Sequence, residues 1–198
     1  MQITWHIDES HPQMLALTIE GVFYGKWKQK WAQRIKAGLN SPAFPKEVHE
    51  LKRALERLEE ELGWKEALNL LSRRACFSSE IRRRLTDAGC SISIVDSVIE
   101  KCCIAGYLND EERARRMMEI WSKKGYGPMR IRLELKKRAI SAPLSIENKE
   151  SHGLYLTRYI DKHLPSQPTR EQKAKVIRAL LRRGFSLDAV YSAMACKR

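Results

Sequence analysis

Between Ile3 and Ile7 apolar and polar residues alternate, and the alternation resumes at Leu15, Leu17 and Ile19 after the turn-like Ser10, His11 and Pro12. A period of two on both sides of a turn predicts a β-hairpin with one buried face. Gly21 and Gly25 interrupt the pattern. Trp27, Trp31 and Ile35 then follow at helical spacing as far as Gly38, which predicts a helix covering a hairpin too small to stand alone. Pro42 and Pro45 mark a linker, because proline lacks the amide a continuing element would need. Beyond it Val48, Leu51, Leu55, Leu58 and Leu62 recur at intervals of three and four, the seam of a helix packed lengthwise. Its other side mixes Lys52, Arg53, Glu56, Arg57 and Glu59 to Glu61, as a solvated face does.

From Trp64 onward the apolar stripes are short and helical. Trp64, Ala67, Leu68 and Leu71 make one, Ile81 and Leu85 a second, and Val95, Val98, Ile99 and Cys102 a third. Ser78 and Ser91 suit helix starts, and Gly89 and Gly106 suit helix ends. A second set begins at Asn109, with Glu112 placed for a capping box. Ala114, Met117, Met118 and Trp121 form its stripe, Gly125 to Pro128 a boundary, and Ile131 and Leu135 the next helix, with a weak third helix at Pro143 to Lys149. A third set starts near Gly153 with Tyr155, Leu156, Tyr159 and Ile160. It continues past Pro165 and Pro168 through a Thr169/Gln172 capping box, Val176, Ile177, Leu180 and Leu181, and ends with Val190 and Met194.

One pattern runs through all three sets: an apolar residue, another four on, another five further, then serine. The copies are Ile81, Leu85, Cys90, Ser91; Ile131, Leu135, Ile140, Ser141; and Val176, Leu180, Phe185, Ser186. They recur at about 45 to 50 residues, the length of a multi-helix repeat. The predicted fold is therefore mainly α, three tandem three-helix repeats in an elongated array behind an amino-terminal β-hairpin and helix module. The expected divisions are 1–45 for that module, 46–63 for a connecting helix, and 64–107, 108–150 and 151–198 for the repeats. Each repeat buries little area alone, so stability should come from stacked neighbours.

Composition adds a partner class. With 37 Lys and Arg against 24 Asp and Glu, the formal charge is +13, which calls for an anionic partner such as nucleic acid or an acidic protein surface. The predicted middle helices concentrate that charge: Arg82, Arg83 and Arg84; Arg130, Arg132, Lys136, Lys137 and Arg138; Lys173, Lys175, Arg178, Arg182 and Arg183. A merely solvated face interleaves Glu with Lys, as residues 46 to 62 do. These helices do not, so they form a candidate stripe for phosphates or for carboxylates, which guanidinium grips with paired hydrogen bonds.

Catalysis finds little footing. His6, His11, His49, His152 and His163 lie on different elements without HxxxH or HExxH spacing, and neither a GxxxxGK[ST] nor a GxGxxG loop occurs. Asp110, Glu111 and Glu112 open a helix, where its dipole favours them. Cys76, Cys90, Cys102, Cys103 and Cys196 include no CxxC pair, and Cys90 and Cys102 fall on apolar faces, so thiols in a reducing cytoplasm are expected rather than zinc ligands or disulfides. The start MQITWHIDES has no signal-peptide pattern and no run of 18 apolar residues occurs, so neither secretion nor a membrane partner is expected.

The runs LLSRR at 70 to 74, GYLND at 106 to 110, GPMRIRLEL at 127 to 135 and LLRRGFS at 180 to 186, with Glu80, Ile81, Arg82, Leu85, Gly89 and the 95 to 99 segment, make residues 64 to 198 resemble the RecX regulatory protein family, modulators of the RecA recombinase. GYLND and GP-x-RIR-x-EL are the specific pieces. The resemblance implies a cytoplasmic, monomeric, non-catalytic protein of three three-helix repeats, without cofactor, acting in DNA repair, recombination and the SOS response. It implies binding in the helical groove of the RecA filament on DNA and interference with ATP hydrolysis, strand exchange and coprotease activity. The family usually has an aromatic or large apolar residue where Arg113 stands and often a glycine where Ala139 precedes Ile140, and 141 to 152 is a loose match. A free-standing basic protein that binds single- or double-stranded DNA without RecA is the other reading of the same charge.

Overall fold

The computed structural model describes residues 2–41, 48–140 and 149–195. Two compact units divide the chain, 1–109 and 110–198.

The first unit opens with β1 (Ile3–Asp8) and β2 (His11–Ile19), antiparallel, with Ile3 opposite Ile19 and Ile7 opposite Leu15. This is the expected hairpin, but it has a third strand: β3 (Val22–Lys28) pairs antiparallel with β2, Ile19 opposite Val22 and Leu15 opposite Trp27. Gly21 therefore makes a turn where a break was expected. Glu20 and Gly21 have φ of 50° and 77°, the left-handed pair whose twist matches that of the flanking strands. Gly25 does not end the pattern either. The β2/β3 register shifts beside it, and a Cβ there would stand 2.6 Å from the Trp27 ring, so the missing side chain makes room for that indole. Trp27 is thus a strand residue, and helix α1 (Gln29–Leu39) starts just after it, burying Trp31, Ala32, Ile35 and Leu39.

Helix α2 runs unbroken from Val48 to Arg73, followed by α3 (Ser78–Ala88) and α4 (Ile92–Ile104). The boundary expected at 63/64 lies inside α2; the one at 45/46 and the Pro42/Pro45 linker lie outside the described residues. One core joins Leu17, Ile19, Trp27 and Trp31 to Leu51, Leu55 and Leu62 of α2, Ile81 and Leu85 of α3, and Val95, Val98 and Cys102 of α4. Burial pushes the thiols of Cys90 and Cys102 up, which keeps them as inert apolar filling.

Glu59 departs from the solvated face expected of it. It is 6% exposed, and one carboxylate oxygen accepts from Trp27 Nε1 at 3.2 Å and from the Ser91 amide at 2.8 Å. A single carboxylate on α2 thereby holds the end of β3 and the start of α4. Burial raises its pKa above the usual carboxylate range, against the pull of those two donors. Glu66, also buried, accepts from Arg84 Nε at 3.0 Å.

The second unit contains α5 (Asp110–Lys123), α6 (Pro128–Lys136), α7 (Lys149–His163), α8 (Arg170–Arg182) and α9 (Leu187–Ala195). The helix expected at Pro143 to Lys149 falls largely on 141–148, outside the described residues, as do Ser141 and Cys196. Leu156, Ile160, Leu164, Val176, Leu180, Phe185 and Val190 form one core cluster, and Ile131 and Leu135 of α6 are fully buried. The Thr169/Gln172 capping box is present, with both reciprocal bonds at 3.2 and 2.9 Å. His152 is buried. It lies 3.0 Å from Ser122 Oγ and edge-on to Phe185, and burial lowers its pKa.

The recurring four-then-five spacing has a structural cause. Its first two residues are one helical turn apart on the inner face, and the third is folded back by the helix end. The amides of Cys90, Ile140 and Phe185 donate to the carbonyls of Leu85, Leu135 and Leu180 at 3.1, 3.1 and 3.2 Å, while the preceding amides of Gly89, Ala139 and Gly184 donate to Thr86, Lys136 and Leu181. This is the Schellman closure, which sets the third residue against the second and needs a left-handed residue between them. The same closure ends α4 at Gly106 and α5 at Gly125.

Candidate interaction surface

Helices α3, α6 and α8 are amphipathic, so burial of Ile81, Leu85, Ile131, Leu135, Val176 and Leu180 turns the intervening cations outward. The stripe divides once ion pairs are assigned. On α3, Arg82 pairs with Asp96 of α4 at 2.6 Å and Arg84 with Glu66 of α2 at 3.0 Å, leaving Arg83 without a carboxylate among the described residues. Two of these three arginines therefore tie helices of the first unit to one another.

On α6, Glu134 gathers cations around a carboxylate only 12% exposed: Lys137 and Arg138 at 3.1 Å and Arg130 at 3.5 Å. The hydrogen bonds from Lys137 and Arg138 hold its pKa below the usual carboxylate range. Arg132 and Lys136 are exposed and have no carboxylate within pairing distance among the described residues.

On α8, Lys173, Lys175, Arg178 and Arg182 are exposed. Arg178 bonds its own helix, Nε to the Ala174 carbonyl at 3.3 Å. Arg183 is half-buried and spent on structure. Its guanidinium lies 5.6 and 5.3 Å from the ring centres of Tyr155 and Tyr159 and reaches the carbonyls of Lys124 and Gly125. Cation–π contact and the negative end of α5 both favour that placement.

The ends of α6 and α8 meet backbone to backbone. The Gly127 amide donates to the Arg183 carbonyl at 2.8 Å and the Met129 amide to the Gly184 carbonyl at 3.0 Å. A Cβ at Gly127 would run into Gly184, and one at Gly184 into Arg130. Arg130, Arg182 and Arg183 thereby share one neighbourhood, while Arg132 and Lys136 lie further along α6. Charge follows the same division: residues 110–198 carry 21 Lys and Arg against 10 Asp and Glu, a formal +11, whereas 1–109 carry 16 against 14, a formal +2. Sequence patterning spread the basic surface over three repeats. Arg82 and Arg84 are paired with acids that come from other helices, which local spacing does not disclose.

No group of three His, Cys, Asp or Glu side chains that could hold a metal occurs among the described residues, and no helix among them is long and apolar enough to cross a membrane.

Residues 64–102 match the family model described as RecX, first three-helix domain, and 157–194 that described as RecX, third three-helix domain. Regulatory protein RecX of Legionella pneumophila (strain Corby) is 31% identical over 130 residues, 63% of this chain and 87% of that relative. Regulatory protein RecX of Vibrio vulnificus (strain CMCP6) is 32% identical over 136 residues, 65% and 88% of the two chains. A crystal structure of regulatory protein RecX superposes with a TM-score of 0.64 at 15% identity, covering 98% of each chain. That of RecX from Lactobacillus salivarius gives 0.63 at 20% identity, over 70% of this chain and 96% of the other. At those identities the two structures speak for the fold.

Proposed function

The chain belongs to the RecX family of regulatory proteins, and from that premise we propose that it is a negative modulator of RecA recombinase. It binds in the groove of the RecA–DNA filament and lowers ATP hydrolysis, strand exchange and coprotease activity. Tandem helical units laid along the groove bridge neighbouring protomers, and exposed cations meet filament carboxylates or DNA phosphates there. The protein acts by occupancy and charge, as a monomer in the cytoplasm, without a cofactor or chemistry of its own.

The observation that carries this reading is Arg132. Within GPMRIRLEL the fold accounts for Gly127 by its contact with Gly184, for Pro128 as the first helical residue, for Ile131 and Leu135 by burial, and for Arg130 and Glu134 by their pairing. Arg132 is left exposed, charged and without a structural task among the described residues. Arg132→Glu should weaken inhibition of RecA ATP hydrolysis on single-stranded DNA at least tenfold with an unchanged melting temperature. Unaltered inhibition would contradict the assignment.

The +11 charge of residues 110–198 also favours a free-standing DNA-binding protein. That reading predicts duplex binding with a log–log salt slope of about −0.9 per phosphate neutralised and no effect on RecA ATP hydrolysis beyond competition for DNA.

A further inference from the structure

The outward face of α6 is not purely cationic. Met129 and Leu133, one helical turn apart, are 58% and 48% exposed, and Arg132 and Lys136 stand beside them at positions that share that face. The cations on the flank, Arg130, Lys137 and Arg138, are drawn to Glu134. The face opposite the buried Ile131 and Leu135 therefore presents two apolar side chains alternating with two cations that have no carboxylate partner among the described residues. Helix α8 differs. Lys173, Lys175, Arg178 and Arg182 are exposed there, while of its large apolar residues only Leu181 is, at 38%.

These surfaces suit different partners. A phosphate backbone offers charge and solvated oxygens and gains nothing from a thioether and an isobutyl group held in water. An acidic protein surface with an apolar depression gains from both halves: burial of Met129 and Leu133 supplies contact energy, and Arg132 and Lys136 supply orientation against carboxylates.

We infer that the Met129, Arg132, Leu133, Lys136 face of α6 docks onto an acidic, partly apolar protein surface, and that α8 supplies the cations that meet nucleic acid. This rests on the modulator reading above, in which that protein surface belongs to the RecA filament.

The test uses the 198-residue chain and four readouts: melting temperature, oligomeric state in solution, affinity for a single-stranded oligonucleotide alone, and inhibition of ATP hydrolysis by RecA filaments on single-stranded DNA. The double variant Met129→Ser/Leu133→Ser should stay folded with only a small drop in melting temperature, because both side chains are already about half exposed. It should keep its oligonucleotide affinity within about twofold and lose at least tenfold in inhibition. Lys173→Gln/Arg182→Gln should show the reverse order, with the larger loss in oligonucleotide affinity. Parallel losses of DNA affinity and inhibition in the serine variant would make α6 a nucleic-acid face and overturn the inference. So would full inhibition by that variant, or a wild-type dimer that it converts to monomer, which would make the face a self-association site. If wild type itself fails to inhibit RecA, the modulator reading falls and takes this inference with it. If wild type inhibits and the serine variant does so equally, only the inference falls.

Discussion

A left-handed alanine is costlier than a left-handed glycine, and Ala139, at φ 56°, stands where the other Schellman closures place Gly89, Gly106, Gly125 and Gly184. Ala139→Gly should raise unfolding stability by about 0.5–1 kcal/mol, the relief of the Cβ clash less the entropy glycine brings to the unfolded chain; a urea midpoint shifted upward at constant slope would register it. Glu59 makes the opposite kind of test. Glu59→Ala orphans the Trp27 indole N–H and the Ser91 amide and should cost about 1–3 kcal/mol. Glu59→Gln keeps an acceptor and removes the buried charge. Because the folded-state pKa of Glu59 is raised, the fold favours the protonated acid. The charge costs nothing below the unfolded carboxylate pKa, and that cost grows as pH rises through the folded value. The melting temperature of Glu59→Gln minus that of wild type should therefore increase between pH 4 and pH 7, and a flat difference would speak against it. Ala139 was visible in the sequence as a residue standing in a glycine's place. Glu59 was not, since its donors lie 32 residues away in either direction and nothing in a run of three glutamates singles it out.

Helix α6 shows how an element is specified from both inside and outside itself. Pro128 starts it, Ile131 and Leu135 seat it, and Glu134 pairs within it, all of which periodicity and spacing disclose. Its entry angle is fixed from elsewhere, by the Gly127–Gly184 contact. Gly127→Ala should destabilise by about 1–3 kcal/mol, measured by thermal or denaturant unfolding, because the intruding methyl meets backbone that cannot swing aside as a side chain would. The helices of the first and third sets were legible from apolar stripes for the same reason: each buries one face. Strand β3 was not. Val22 and Phe23 are exposed, Gly25 breaks the alternation, and Trp27 falls in register with Trp31, so the segment imitates the start of a helix and only pairing with β2 decides otherwise.

Across the whole chain, the division of charge matters more than its sum. In the first unit several cations pair with acids of other helices, Arg82 with Asp96, Arg84 with Glu66 and Lys101 with Glu60. Pairs with a solvent-exposed cation contribute little stability each; the unit is near neutral because its 16 Lys and Arg are matched by 14 Asp and Glu. The second unit holds nearly all of the excess, and within it Arg132, Lys136, Lys173, Lys175 and Arg182 stay uncommitted among the described residues. The basic surface was legible as composition; which of its members are free was not, because pairing across helices depends on the fold. The most direct measurement is the rate of ATP hydrolysis by RecA filaments on single-stranded DNA as the wild-type protein is titrated in. A progressive fall, at protein concentrations too low to compete for the DNA itself, is the predicted result. A rate that stays constant until the DNA is sequestered would contradict modulation of the filament and leave a basic DNA-binding protein in its place.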